Sequence, residues 1–173
     1  GGLTYCARRA AELQQQGAPE APLLAYLKRF ALNIANAKVS TSAVEAKQMG
    51  YLLESDPIVL QRNELLYVAI QRARALALSG WQPPVPQAFP AAGRDAIATL
   101  RVQIENLRVG GYASDYDAYL ATQVATVLCG GDLDPNTLVD ESWLLQRERE
   151  AFVHLLGQPK TQERIRTLLT NGK

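Results

Sequence analysis

Apolar residues recur at intervals of three and four along most of the chain. Five segments carry such a stripe: 65–76, 97–107, 120–128, 144–156 and 165–169. This spacing is typical of amphipathic helices, which bury one face and expose the other. Alternation of apolar and polar residues over the length of a strand is nearly absent, apart from a short run around Val39. The pattern therefore predicts an all-α fold of about eight helices.

Residues with capping roles mark the ends of these helices. Seven stretches of helix-forming residues end at a glycine, which adopts a left-handed conformation without strain: Gly17, Gly50, Gly80, Gly110, Gly130, Gly157 and Gly172. Four hydroxyl residues mark predicted helix starts: Thr4, Ser42, Ser114 and Thr137. Ser42 with Glu45, and Ser114 with Asp117, have the spacing at which a side chain caps the helix N-terminus.

The segment from Trp81 to Pro90 differs from the rest of the chain. It reads WQPPVPQAFP and contains four prolines, which cannot continue a helix and favour an extended path. As a linker between domains it would expose Trp81, Val85 and Phe89. We favour a proline-rich strap that lies over a helical surface and buries these side chains.

Length and charge exclude several classes of protein. A chain of 173 residues can form one domain with a core and is short for two. Lys and Arg total 18 and Asp and Glu total 17, so there is no basic excess to neutralise the phosphates of a nucleic acid. No apolar run approaches the roughly 18 residues that a membrane span requires. We expect a soluble protein that binds no nucleic acid.

The sulfur-containing residues bear on the cellular compartment and on the origin of the chain. Two unpaired cysteines, Cys6 and Cys129, and the lack of a leader segment favour a reducing, cytoplasmic environment. Met49 is the only methionine, so we expect that translation does not begin at Gly1. The chain is then a piece of a longer protein.

Few residues could carry catalysis or hold a metal. His154 is the only histidine, which excludes a metal-binding histidine pair, and we interpret it as a residue near a helix end. The Gly130-Gly131 pair matches neither GxGxxG nor a phosphate loop. Asp132 and Asp134 follow it, but Pro135 interrupts the pattern of a calcium loop, so we interpret them as part of a capping turn. We predict no catalytic residue and no metal site.

Two groups of charged residues have simple interpretations. Asp115 and Asp117 stand at a predicted helix start, where acidic side chains stabilise the N-terminus. Residues 147–150, RERE, alternate in charge and indicate a solvated helix face.

Longer stretches of the sequence resemble a known family. Residues 39–52, VSTSAVEAKQMGYL, resemble a helix entry of the crotonase (enoyl-CoA hydratase/isomerase) superfamily, and residues 1–10, GGLTYCARRA, look like the end of its PxGGG loop. Residues 150–173 are similar to its last two helices. With residues 92–112 and 127–156, the resemblance extends over the whole chain to the C-terminal end of a bacterial fusion enzyme. In that family an NAD-dependent 3-hydroxyacyl-CoA dehydrogenase is joined to an enoyl-CoA hydratase module.

The resemblance implies an organisation and an activity. Residues 1–173 would form a single helical domain: 1–54 follow the crotonase core, 55–140 are a helical insert and 141–173 are the C-terminal helices. The parent would oxidise 3-hydroxyacyl-CoA with NAD and hydrate 2-enoyl-CoA in fatty-acid β-oxidation. In the family the two catalytic glutamates and the two amide donors of the oxyanion hole precede the PxGGG loop, so the isolated chain is expected to be inactive.

The resemblance also implies a binding role and an assembly. Phe152 matches a phenylalanine that approaches the adenosine of coenzyme A, and Lys173 matches a lysine near its phosphates. An apolar helix face also suits a core position for Phe152. Crotonases commonly assemble through this region, so we expect a homo-oligomer that binds acyl-CoA. The alternative is a stand-alone helical domain that binds a partner helix.

Overall fold

The computed structural model describes residues 1–16 and 22–172, and most of them are helical. The helices are α1 (Gly2–Gln16), α2 (Leu23–Ala35), α3 (Ala43–Gln48), α4 (Leu65–Leu78), α5 (Gly93–Val109), α6 (Asp115–Leu128), α7 (Glu141–Leu156) and α8 (Pro159–Asn171). Two strands of two residues, β1 (Phe89–Pro90) and β2 (Leu138–Val139), pair antiparallel with Phe89 opposite Val139. The predicted all-α fold with about eight helices is confirmed. Val39 lies in no strand.

The chain divides into two compact units. Unit 1 comprises Gly1–Val39 and Gln87–Lys173, and unit 2 comprises Ser40–Pro86. Unit 1 therefore holds α1, α2, α5 to α8 and both strands, whereas unit 2 holds α3, α4 and a 3-10 turn at Arg62–Glu64. The division of the chain into 1–54, 55–140 and 141–173 rests on the resemblance alone and stays a prediction.

The core of unit 1 forms where α1 packs against α2, α6 and α7. Ala10 on α1 is completely buried, and its small side chain lets the neighbouring helices approach closely. Leu27 and Phe30 on α2 and Leu144 on α7 are the large side chains of this core, each about 1% exposed. Burial of each of these large side chains contributes about 1.5–3 kcal/mol.

Backbone hydrogen bonds fasten the α6–α7 connection to the start of α5. The amide of Gly93 donates to the carbonyl of Cys129, and the amide of Arg94 donates to the carbonyl of Leu133. Gly93 has φ +70°, and a Cβ there would lie 2.5 Å from the carbonyl oxygen of Leu133. Only glycine fits this position without moving the backbone.

Two of the four predicted helix starts are confirmed. The hydroxyl of Ser42 accepts a hydrogen bond from the amide of Glu45 at the start of α3. Ser114 and Asp117 form a complete capping box on α6.

The other two predicted starts are wrong. α1 begins at Gly2, so Thr4 lies inside the helix, and its hydroxyl donates to a side chain of α7 instead of capping. α7 is capped by Asp140, whose carboxylate accepts from the amide of Trp143. The hydroxyl of Thr137 donates to the carbonyl of Asp134.

The predicted glycines in the described residues lie at helix ends, but two of them do not have the predicted left-handed conformation. Gly172 ends α8 in the predicted left-handed conformation. Gly110 and Gly157 each have φ −72°, and after α5 the left-handed residue is Gly111. Gly17 lies outside the described residues.

The proline-rich segment does not bury all of its apolar side chains. Phe89 is buried and lies in β1, whereas Trp81 and Val85 are exposed. The prediction of a buried strap is therefore correct only for the end of the segment, which belongs to unit 1. The exposed stretch before it fits the linker interpretation better.

Unit 2 contains little buried surface. Of its described residues only Met49 and Gly50 are buried, and α4 has no buried residue. The apolar stripe predicted for residues 65–76 is present on α4, but it is exposed. None of the helices in 1–16 and 22–172 combines the length and apolar character of a membrane span.

Candidate functional site

A groove of about 530 Å³ opens in unit 1 between the start of α1, α6 and α7. Its walls are mainly apolar and include Leu3, Val124, Val127, Leu145, Phe152 and Leu155. This volume falls within the range of about 300–1,000 Å³ that is typical of small-molecule sites. The groove is therefore large enough to hold a small molecule.

Phe152 lies on the wall of this groove and not in the core. It is 60% exposed, whereas Leu144, two turns earlier on α7, is buried. The apolar seam of α7 thus splits, because Leu144 packs inside while Leu145 and Phe152 line the groove. An accessible ring beside an apolar floor can stack on a planar ligand. The predicted contact with coenzyme A stays a prediction.

Glu148 connects α7 to the N-terminus of α1. Its carboxylate accepts hydrogen bonds from the Gly1 amino group at 2.9 Å, the Thr4 amide at 3.0 Å and the Thr4 hydroxyl at 2.7 Å. The amide of Leu3 donates to the same carboxylate at 3.3 Å. A carboxylate satisfies the unpaired amides of a helix start and interacts favourably with the helix dipole. Glu148 therefore fixes the two sides of the groove relative to each other.

The charge of Glu148 is held by these contacts. Burial acts to raise the pKa of Glu148, but the hydrogen bonds from the Gly1 amino group, Thr4 and Leu3 outweigh it and lower the pKa to about 2. The carboxylate is ionised at neutral pH and fully engaged, which suits a structural role and not proton transfer. The interpretation of Glu148 as part of a solvated helix face is wrong.

Arg149 places a positive charge at the same groove. Its side chain is exposed, and among the described residues no carboxylate lies within 4.0 Å of its guanidinium. Arg149 precedes Phe152 by three residues, so the two share one face of α7. A free guanidinium can pair with a phosphate or carboxylate of a ligand. The sequence analysis missed this residue, and its spacing from Phe152 was the available signal.

Glu150 is exposed, as predicted for a solvated helix face, whereas Arg147 is only partly exposed. Arg147 donates to Glu150 at 3.0 Å, a surface pair of the i,i+3 type. The Arg147 guanidinium also lies over the ring of Trp143, 4.8 Å from its centre. Lys173, the second predicted contact for coenzyme A, lies outside the described residues.

The histidine and the two cysteines lie in surroundings that suit structural roles. His154 lies in the last turn of α7, exposed, with Nε2 2.7 Å from the hydroxyl of Tyr119. Burial raises the pKa of Cys129 to about 12, and burial with the charge of Glu148 raises that of Cys6 to about 11. Both thiols therefore stay protonated and unreactive at neutral pH.

Both carboxylates of the acidic turn after α6 pair with one arginine. Arg94 pairs with Asp132 and with Asp134, each at 3.1 Å. Across 1–16 and 22–172, no group of three or more His, Cys, Asp or Glu residues is arranged to hold a metal ion.

Comparison with known proteins identifies a relative. Over 152 residues the chain is 41% identical to the probable 3-hydroxyacyl-CoA dehydrogenase of Bacillus subtilis (strain 168). No family model matches the chain, and no solved structure matches it. The match takes in 88% of this chain but only 19% of the length of the Bacillus protein. The chain is thus similar to one part of a probable 3-hydroxyacyl-CoA dehydrogenase that is more than four times its length.

Proposed function

We propose that this chain is the helical part of a longer, cytoplasmic enzyme of fatty-acid β-oxidation. The parent oxidises 3-hydroxyacyl-CoA with NAD and hydrates 2-enoyl-CoA through a crotonase module. The chain itself supplies packing, contacts between subunits and part of the rim of the coenzyme A site, and it is inactive alone. The similarity to a dehydrogenase over 88% of the chain carries the dehydrogenase part of this proposal. The hydratase part rests on the crotonase resemblance.

The groove on α7 supports the binding role. Phe152 presents an open ring, and Arg149 adds an unpaired positive charge on the same helix face. Coenzyme A combines a planar adenine with phosphates, so a ring and a guanidinium in one groove suit it chemically. Lys173 is a second cation for the phosphates in this proposal.

The described residues do not fit NAD. A dinucleotide site requires a strand followed by a glycine-rich turn and a helix N-terminus. The strands described here have two residues each and pair antiparallel, and the chain contains no GxGxxG. In this proposal NAD binds to another part of the parent enzyme.

Phe152→Ala in the longer enzyme tests the binding role. Loss of a stacked ring removes about 0.5–1.5 kcal/mol, so we expect the KM for an acyl-CoA substrate to rise about 2- to 10-fold. Val153→Ala is the matched control, because Val153 is equally exposed on α7 but does not line the groove. An unchanged KM in Phe152→Ala contradicts the coenzyme A contact.

The exposed apolar residues favour association between copies. Ile165, Leu168 and Leu169 are exposed on α8. Uncovered side chains of this kind pair readily in water. We expect the isolated chain to self-associate, and a monomeric mass by light scattering at micromolar concentration contradicts this.

A stand-alone helical interaction domain is the second candidate, and the exposed faces of α4 and α8 favour it. The gene sequence upstream of Gly1 distinguishes the two candidate functions. A reading frame that continues through a dinucleotide-binding fingerprint and a crotonase core supports the β-oxidation enzyme. A start codon next to Gly1 supports the interaction domain.

A further inference from the structure

An extended exposed apolar surface lies on α4. Its stripe consists of Leu65, Leu66, Ala69, Ile70, Ala73 and Leu76, all exposed, with Leu66 at 71%. At 3.6 residues per turn these positions fall on one side of the helix, while Arg72 and Arg74 flank it. An uninterrupted apolar face of this size is typical of a surface that is covered in the working protein.

Unit 2 has no core that could support α4. Only Met49 and Gly50 are buried in it. α4 has 14 residues, and isolated helices shorter than about 12–15 residues are marginal in water, since packing of an apolar face supplies most of their stability. The helix therefore needs a partner that unit 2 itself does not supply.

We infer that the apolar face of α4 docks onto the remainder of the longer dehydrogenase polypeptide, within the same chain. The inference rests on the proposed function. The homologous part makes up 19% of the Bacillus relative, so about four fifths of that protein is available to cover the equivalent surface. The partner surface must be apolar opposite Leu66 and Ile70, because no charge interrupts the stripe there.

Cysteine labelling tests the inference without disturbing the packing. Ala69→Cys places a thiol in the stripe, and Ala75→Cys places one on the opposite side of α4; both alanines are exposed. The native Cys6 and Cys129 are buried, so they label slowly. A maleimide reagent is applied to each variant, both as the isolated chain and within the longer enzyme. Peptide mass spectrometry then reads the label at the introduced cysteine.

We expect Ala69→Cys to label at least about tenfold more slowly than Ala75→Cys in the longer enzyme, because a docked face excludes the reagent. In the isolated chain both should label at the same fast rate. Equal rates in the longer enzyme overturn the inference and leave the proposed function intact. Protection of Ala69→Cys in the isolated chain also overturns it. The occupant is a second copy if this protection grows with concentration, and unit 1 of the same chain if it does not. A reading frame that starts at Gly1 overturns both the inference about α4 and the proposed function.

Discussion

The contact between Glu148 and the start of α1 offers a direct test of what holds unit 1 together. Glu148→Gln keeps the size and shape of the side chain but removes its charge. The amide oxygen can still accept hydrogen bonds from one pair of donors. The NH2 group then faces the other pair, either those of Thr4 or those of Gly1 and Leu3, and cannot accept from them. The helix N-terminus also loses a negative charge. We expect the variant to be folded and less stable.

The pKa of Glu148 bounds the size of the effect. A fall from its ordinary value of 4.5 to about 2 corresponds to at most about 3.4 kcal/mol. The first of the lowering contributions comes from the Gly1 amino group, which carries a charge only where Gly1 is a chain end, so the test uses the isolated chain. The side chain keeps 19% of its surface exposed, and water screens part of the interaction, so we expect a loss of about 1–2 kcal/mol at neutral pH. For a chain of this length that lowers Tm by about 2–8 °C.

The effect has a defined pH dependence. Because folding lowers the pKa of Glu148, the carboxylate stabilises the fold above pH 4.5, and that stability is lost as the pH falls toward 2. The stability gap between the native chain and Glu148→Gln should therefore narrow as the pH falls below 4.5. Urea unfolding followed by circular dichroism at several pH values measures this gap. The reasoning is refuted if the native chain and Glu148→Gln have the same free energy of unfolding at pH 7, or if their difference does not change with pH. Glu150→Gln, on the exposed side of α7, is the control variant.

Three further predictions follow from packing and capping. Gly93→Ala should destabilise unit 1 by at least about 2 kcal/mol in thermal unfolding, because the new Cβ meets the carbonyl of Leu133 at positive φ. Ser114→Ala removes the cap of α6, and the same assay should show a loss of about 0.5–2 kcal/mol. Leu144→Ala should cost about 2–5 kcal/mol in urea unfolding, whereas the exposed Leu145→Ala should cost under about 1; equal losses would contradict the assignment of core and groove.

The helices could be predicted from the sequence because their signals are local. Apolar spacing and capping residues act within a turn or two, so the stripe of α5 and the capping box at Ser114 appear in the structure as predicted. The prediction that Thr137 marks the start of α7 was wrong because Asp140 lies closer to the helix and caps it instead. A sequence with two capping candidates does not say which of them the backbone brings into position.

The groove could be predicted only in part because it depends on contacts between distant segments. Glu148 reaches the start of α1 across more than 140 residues, and no local pattern signals such a contact. Phe152 was found through a family resemblance, whereas Arg149 was passed over because alternating charges usually face solvent. The structure places both on one groove, and their separation by one helical turn explains why.

The spacing of apolar residues also does not say what covers the apolar face of a helix. The two units differ in this respect. Leu144 and Leu66 both belong to stripes of the same period, yet one is 1% exposed and the other 71% exposed. The helix period reports only that one side is apolar. What buries that side depends on the rest of the polypeptide, and for α7 much of it lies within unit 1. For α4 no residue of unit 2 covers the stripe, so a helix with the composition of a buried element is itself an argument for a partner outside unit 2.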